Sequence, residues 1–264
     1  MIPHEYRIPY KYGDTIRIKP LYDIHYGNKY CDTRALNAYL SDCDDKTYII
    51  GGGDSIDAVI TKDIKRYMKH SDGTDTDAVI DEQVDGLHKI LAPYKDNIIG
   101  MMDGNHEHTM VKYHGTNPIK RLCEKLECTH LGYSFLMKMF FRESDGRGRS
   151  VVIRAHHGWG GGSRTQGGEI TKYSKDMANY EADIFLYGHG HKLQSNRTVK
   201  FGVSGKKIVS KPQYLFLCGS FLKSFSLTTD ATYAEVAGYP PIEVGGINIS
   251  IKPDSKWLKI ESDV

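Results

Sequence analysis

Five times along this chain a short apolar run of the kind that forms a buried strand leads directly into a polar residue able to bind a metal. "TIRIKPLYD" ends at Asp23, "TYIIGGGD" at Asp54, "NIIGMMDGN" at Asn105, "VVIRAH" at His156 and "DIFLYGH" at His189. Between these runs lie apolar residues at helical spacing: Ile60, Ile64, Tyr67 and Met68; Ile80, Val84, Leu87 and Leu91; Ile119, Leu122, Cys123 and Leu126; Ile170, Tyr173, Met177 and Tyr180. Residues three and four apart share one helix face, whereas short apolar runs bounded by Gly or Asp read as strands. Strands alternating with amphipathic helices predict an α/β sheet. Ligands of such sheets sit outside the carboxyl ends of the strands, where the five polar residues fall. The site is therefore expected to be assembled from many loops.

After residue 192 the pattern changes to strands, "RTVKFGV", "KKIVSKPQYLFLCGS", "GGINISIKP" and "KWLKIES", which predict a second, more antiparallel sheet packed on the first. The 264 residues suffice for one sizeable core, so a single domain over 1–264 is expected.

Composition narrows the function classes. The balance of 35 Lys+Arg against 33 Asp+Glu is too even for bulk charge to announce a nucleic-acid binder. Five cysteines, an odd number in no metal-knuckle spacing, read as free thiols in a reducing compartment. The first residues lack the apolar stretch of a signal peptide, and no run approaches a membrane span. A soluble protein of the cytoplasm, with no membrane partner, is expected.

Asp23 and His25 in "DIHYG", Asp54 in "GGGDSID", Asn105 and His106 in "DGNHE", His156 and His157 in "AHHG", and His189 and His191 in "GHGH" bring carboxylate, imidazole and amide oxygen to the strand ends. Such a set suits two adjacent divalent ions better than one, with a shared carboxylate between them. Because carboxylates are few among these ligands, two dications would keep a net positive charge, which suits an anionic substrate such as a phosphate ester.

These stretches resemble the calcineurin-like metallophosphoesterase superfamily, dinuclear metallophosphatases whose ordered motifs appear here as "DIH", "GDSID", "GNHE", "HHG" and "GHGH" across residues 23 to 191. The chain is similar to uncharacterised members from bacteriophages and bacteria. The resemblance implies a four-layer α-β-β-α sandwich, with two mixed β-sheets flanked by helices and the metal site at the strand C-terminal ends. It implies that Asp23, His25 and His191 bind one metal, that Asn105, His156 and His189 bind the other, and that Asp54 bridges them. His106 would stabilise the phosphoryl group or protonate the leaving oxygen, and Asp57 and Glu107 would orient ligands from behind. In the fourth motif His156 is preferred as ligand, leaving His157 to touch substrate or a ligating side chain. The glycines of "GHGH" are expected to permit a tight turn that lets His189 and His191 reach neighbouring ions.

The activity implied is hydrolysis of phosphomonoesters or phosphodiesters by a hydroxide held between the ions. The substrate would be a phosphorylated small molecule or nucleotide, and nucleic acid is a further possibility. Manganese is the first choice, with iron, zinc, nickel or cobalt also suited to nitrogen and oxygen donors. Two alternatives stand beside this activity: a nuclease acting on DNA or RNA ends with the same site, and a non-catalytic metal-binding scaffold. The oligomeric state is open.

The glycine-rich "GWGGGSRTQGG", residues 158 to 168, admits two readings. Its backbone N–H groups and Arg164 could bind a non-transferred phosphate, or it could be a mobile surface loop with no ligand. "SDGTDTDAVIDE" looks like a calcium loop, but the position that requires glycine holds Asp77, so a solvated helix approach is expected. The basic stretches "IKRYMKH" and "FRESDGRGRS" are read as a helix face and a hairpin turn.

Overall fold

The computed structural model describes residues 1, 3–59, 79–142, 148–229, 231–253 and 259–263. The helix expected over Ile60 to Met68 and most of the calcium-loop-like stretch lie outside these residues, as do the basic stretch 64–70 and the start of the last expected strand.

In chain order the elements are β1 (Pro3–Pro9), β2 (Ile16–Leu21), α1 (Thr33–Leu40), β3 (Thr47–Gly51), α2 (Val79–Leu91), β4 (Ile98–Met101), α3 (Asn105–His114), α4 (Pro118–Leu126), β5 (Thr129–His130), β6 (Ser134–Arg142) and β7 (Gly148–His156). They continue with α5 (Gly168–Ser174), β8 (Ile184–Tyr187), β9 (Leu193–Ser204), β10 (Lys207–Ser220), α6 (Tyr233–Ala237), β11 (Gly245–Gly246), β12 (Asn248–Lys252) and β13 (Lys259–Asp263). One sheet has the order β13-β12-β2-β3-β4-β5. The other runs β1-β6-β7-β8-β10-β11, with β9 also paired to β10. Both sheets are mixed: β2, β3, β4 and β5 are parallel while β12 and β13 are antiparallel. In the other sheet β7, β8 and β10 run parallel beside antiparallel β6 and β9.

Side-chain alternation sets the layers. Ile16, Ile18, Ile50 and Ile99 of the first sheet face Phe135, Met137, Ile153 and Leu186 of the second in one apolar core. The outer face of the first sheet, with Leu21, Ile49 and Ile98, is covered by Leu36 and Leu40 of α1, by Val84, Leu87 and Leu91 of α2 and by Ile119, Leu122 and Leu126 of α4. The outer face of the second, with Phe185, Tyr187, Leu215 and Leu217, is covered by Tyr173 of α5 and by Met177. This is the expected α-β-β-α sandwich.

Three expectations about its strands and helices are corrected. The strands after residue 192 do not form a sheet of their own: β9 and β10 join β8, while β12 joins β2. Nor do "VVIRAH" and "DIFLYGH" belong with the first three runs; they are β7 and β8 of the second sheet. The cause is two-sided packing. Ile249 and Ile251 of β12 complete the inter-sheet core beside Ile18 and Ile16, a place that a separate C-terminal sheet would leave open. The helix over Ile170 to Tyr180 is also shorter than its pattern: α5 ends at Ser174 and a 3-10 turn follows at Asp176–Ala178, where Arg154 and the Tyr187 hydroxyl hold the Asp176 carboxylate. Among the described residues no helix is long and apolar enough to cross a membrane.

Candidate metal centre

The carboxyl ends of β2, β3 and β4 meet those of β7 and β8 at one pole of the sandwich, and the loops leaving them carry the candidate ligands. Seven non-glycine residues among those described have positive φ, and five of them are Asp23, His25, Asp54, His189 and His191, at 49° to 66°. Left-handed backbone at a residue with a Cβ is costly and persists where other contacts over-determine it. Here the Asp23 N–H donates to the Gly53 carbonyl (3.1 Å), the His25 N–H to that of Asp54 (2.9 Å), and the His189 N–H to Asp23 Oδ2 (2.8 Å).

The glycines of "GHGH" do a different job from the one expected. The two histidines take the left-handed φ, and the glycines permit close approach. A Cβ on Gly188 would lie 2.4 Å from Asp23 Oδ2, and one on Gly190 would lie 2.1 Å from a Glu169 carboxylate oxygen. Glu169 is buried and tied to the Ser163 N–H (3.0 Å), so it cannot swing out to make room. Gly190→Ala is therefore expected to cost about 1–3 kcal/mol by overpacking, read as a lower midpoint in thermal or urea unfolding. A variant as stable as the parent would show that Glu169 yields.

Of three donor groups among the described residues, two face one another: Asp23, His25 and His191 form one, and Asp54, His157 and His189 the other. The third, His25, Asp57 and His106, shares His25 with the first. In the first, His25 Nε2 is 3.3 Å from His191 Nε2, and Asp23 Oδ1 is 3.6 Å from His191 Nε2 and 3.9 Å from His25 Nε2. In the second, His157 Nε2 is 3.2 Å from Asp54 Oδ2 and 2.9 Å from Asn105 Oδ1. Asp54 Oδ2 also lies 3.8 Å from both His25 Nε2 and His106 Nε2, so this oxygen stands between the groups. Asp23 Oδ1 is buried without a hydrogen-bond partner, an expensive state for a carboxylate oxygen unless a cation completes it.

Three of the imidazoles are anchored on oxygen through their far nitrogen, whereas His25 Nδ1 makes no hydrogen bond. His106 Nδ1 donates to the Asp57 carbonyl, His157 Nδ1 to that of Gly52 (3.0 Å) and His189 Nε2 to that of Gly160 (2.6 Å). His25 Nδ1 faces Asp57 Oδ1 at 3.5 Å, a longer contact. Metal-binding histidines characteristically donate their second N–H in this way, which fixes the ring and leaves the other nitrogen for the ion.

The electrostatics follow from burial and proximity. Burial raises the Asp23 carboxyl well above its usual range. For Asp54 burial acts in the same direction, but His157, His106 and His25 outweigh it and hold the carboxyl low. Burial alone would lower His157, yet the Asp54 charge pushes it up to about 10. Burial, with the neighbouring imidazoles, lowers His25, His189 and His191. These last three rings are therefore neutral near pH 7 and free to donate to an ion, which would have to displace the proton of His157.

The structure brings together Asp23, His25, Asp54, Asn105, His106, His189 and His191, but it seats His157 where His156 was expected. The two are adjacent at the end of β7 and point to opposite faces, as strand neighbours do. His157 enters the space between the sheets, fully buried; His156 turns outward against Tyr133, Trp159 and Tyr187 and accepts the Gly158 N–H at Nδ1 (2.9 Å). Arg164 is also away from the donor groups, donating to the Ala237 carbonyl (3.1 Å). Its loop is fastened rather than loose: Lys172 Nζ takes the Trp159 carbonyl (2.8 Å), and Lys192 Nζ takes those of Ser163 (2.8 Å) and Thr165 (2.7 Å). Asp57 stands behind His25 and His106. Glu107 holds no imidazole; its buried carboxylate accepts the N–H groups of Asp54 (3.0 Å), Ser55 (2.6 Å), Ile56 (3.1 Å) and Gly104 (2.8 Å), and burial followed by the Asp54 charge raises it to about 7. Sequence reasoning missed Glu169 and Tyr133, which no motif marks, and the carbonyls of Gly52, Asp57 and Gly160, which carry no side-chain signature.

The sequence matches no protein-family model and no curated protein. Among solved structures, the chain is similar to a conserved uncharacterised protein of Streptococcus pneumoniae described as a predicted phosphoesterase, at 13% identity and a TM-score of 0.36, covering 94% of this chain and 89% of that one. It is similar to a single mutant of Vps29 from Entamoeba histolytica, at 13% identity and TM-score 0.39, covering 94% and 98%. It is also similar to Vps29 from Chaetomium thermophilum, at 11% identity and TM-score 0.38, covering 94% of each. Likeness at this level establishes no shared activity, and the chemistry of the pole rests on this chain's own side chains.

Proposed function

We propose that the chain is a metal-dependent phosphoesterase of the calcineurin-like kind, holding two divalent ions at this pole. Asp23, His25 and His191 take one ion, Asn105, His157 and His189 the other, and Asp54 bridges them. The observation that carries the reading is the orientation of the imidazoles: His106, His157 and His189 each spend one nitrogen on a backbone carbonyl, and all aim the other toward Asp54 or its neighbours. The unpartnered Asp23 Oδ1 fits the same account. When bound, the ions supply Lewis-acid polarisation of the phosphoryl oxygens and lower the pKa of water.

This chain's residues do the rest. Asp23 and Asp54 bring too little negative charge to neutralise two dications, so the pole attracts an anionic ester. His106 is fixed through Nδ1, which also lies 3.8 Å from Asp57 Oδ1, with Nε2 directed at the centre 3.8 Å from Asp54 Oδ2, and in its protonated form it hands the Nε2 proton to the leaving oxygen. Manganese is the first ion to test; zinc, iron, nickel and cobalt accept the same donors. The substrate is a phosphorylated small molecule or nucleotide.

The test is hydrolysis of p-nitrophenyl phosphate and bis(p-nitrophenyl) phosphate by metal-stripped protein after manganese is added. Manganese is expected to restore turnover, and His106→Ala and Asp54→Ala to remove it. Folded, metal-loaded protein that hydrolyses neither ester would favour a scaffold role instead.

A further inference from the structure

The outward turn of His156 places it in a row of rings that the metal centre does not use. His108 of α3 lies 5.3 Å from Tyr133, Tyr133 lies 5.4 Å from His156, and His156 lies 5.0 Å from Trp159, each pair edge to face. The row flanks the second donor group, for the Tyr133 ring is also 6.3 Å from that of His157. His108 is exposed, Tyr133 and His156 are half-buried, and Trp159 is 38% exposed, whereas Tyr173 and Tyr187, which pack against the tryptophan, are fully buried. A tryptophan left partly in water beside a polar pole presents a large π surface at little entropic cost.

Its position is fixed in advance. Lys172 holds the Trp159 carbonyl, and the next carbonyl, Gly160, receives the His189 ring Nε2–H at 2.6 Å. The same loop that orients a donor of the centre therefore presents the tryptophan, and its edge-to-face contacts with Tyr173 and Tyr187 at 4.9 and 5.7 Å stiffen the ring. A phosphate at the pole and a planar group on the row would belong to one molecule.

We infer that the row from His108 to Trp159 is a stacking subsite for the nucleobase of a nucleotide ester. The inference rests on the phosphoesterase reading and narrows its substrate class. Stacking on aromatic faces tolerates any base, since each has a π face, and favours purines through their larger area. Esters without an aromatic group gain nothing from the row.

The experiment has two arms on the full chain. In the first, Trp159 emission is followed during titration with AMP and with glycerol 3-phosphate, and Trp159→Phe identifies the signal. In the second, the ratio of kcat/KM for the nucleotide monoester to that for glycerol 3-phosphate is compared in manganese-loaded parent, Trp159→Ala and Tyr133→Leu. Saturable quenching by AMP and not by glycerol 3-phosphate is expected, with the ratio falling about tenfold in Trp159→Ala. If both esters are hydrolysed with a ratio that neither substitution moves, and AMP does not quench, the subsite is refuted while the phosphoesterase reading stands. If AMP quenches and no ester is hydrolysed, the subsite stands and the phosphoesterase reading fails.

Discussion

His157→Ala will weaken manganese binding by on the order of a hundredfold or more and will remove turnover with it, whereas His156→Ala will leave both ions bound. The adjacent histidines differ in every respect that matters for an ion. His157 is fully buried, with Nδ1 spent on Gly52 and Nε2 within 3.9 Å of Asp23, Asp54 and Asn105 oxygens. His156 packs on aromatic rings and uses Nδ1 to accept a backbone N–H; burial, then the Arg154 charge, lowers it to about 4. Calorimetric titration of the two variants with manganese decides the matter. Loss of an ion in His156→Ala with normal binding in His157→Ala would reverse the assignment.

The second large effect falls on stability. Glu107→Ala is expected to cost about 3–5 kcal/mol, because it strips the acceptor from four buried N–H groups at Gly104, Asp54, Ser55 and Ile56. That is a large share of the 5–15 kcal/mol that typically holds a domain folded. Glu107→Gln should cost less, since its amide keeps one oxygen in place but turns an NH2 donor toward N–H groups. Urea denaturation with a constant slope reads both values. An alanine variant within about 1 kcal/mol of the parent would mean that water or a shifted backbone satisfies the turn.

What the sequence reveals about this molecule follows the range of the interactions concerned. The apolar runs mark five loop origins because a buried strand that ends at polar residues leaves a local trace. The helix faces of α2 and α4 are legible because Val84, Leu87 and Leu91, and Ile119, Leu122 and Leu126, repeat at helical spacing. The strand β6 is equally legible, through the alternation of Phe135, Met137, Met139 and Phe141. Sheet membership is another matter. The runs that become β3 and β8 look alike, and their neighbours are chosen by packing among residues far apart in sequence. The choice between His156 and His157 depends on where β7 stops and which face its last residue takes. Two adjacent imidazoles in sequence give no sign of that register. The carbonyls that orient His106, His157 and His189 belong to the backbone and exist only once the loops have folded.

Anomalous diffraction from crystals soaked in manganese tests the central claim most directly. Two peaks about 3.5–4 Å apart are expected. One should be bounded by Asp23, His25 and His191, the other by Asn105, His157 and His189, with Asp54 between them. A single ion held by His25, Asp57 and His106, the third donor group at this pole, or no ion at all with the imidazoles unmoved, would contradict the account.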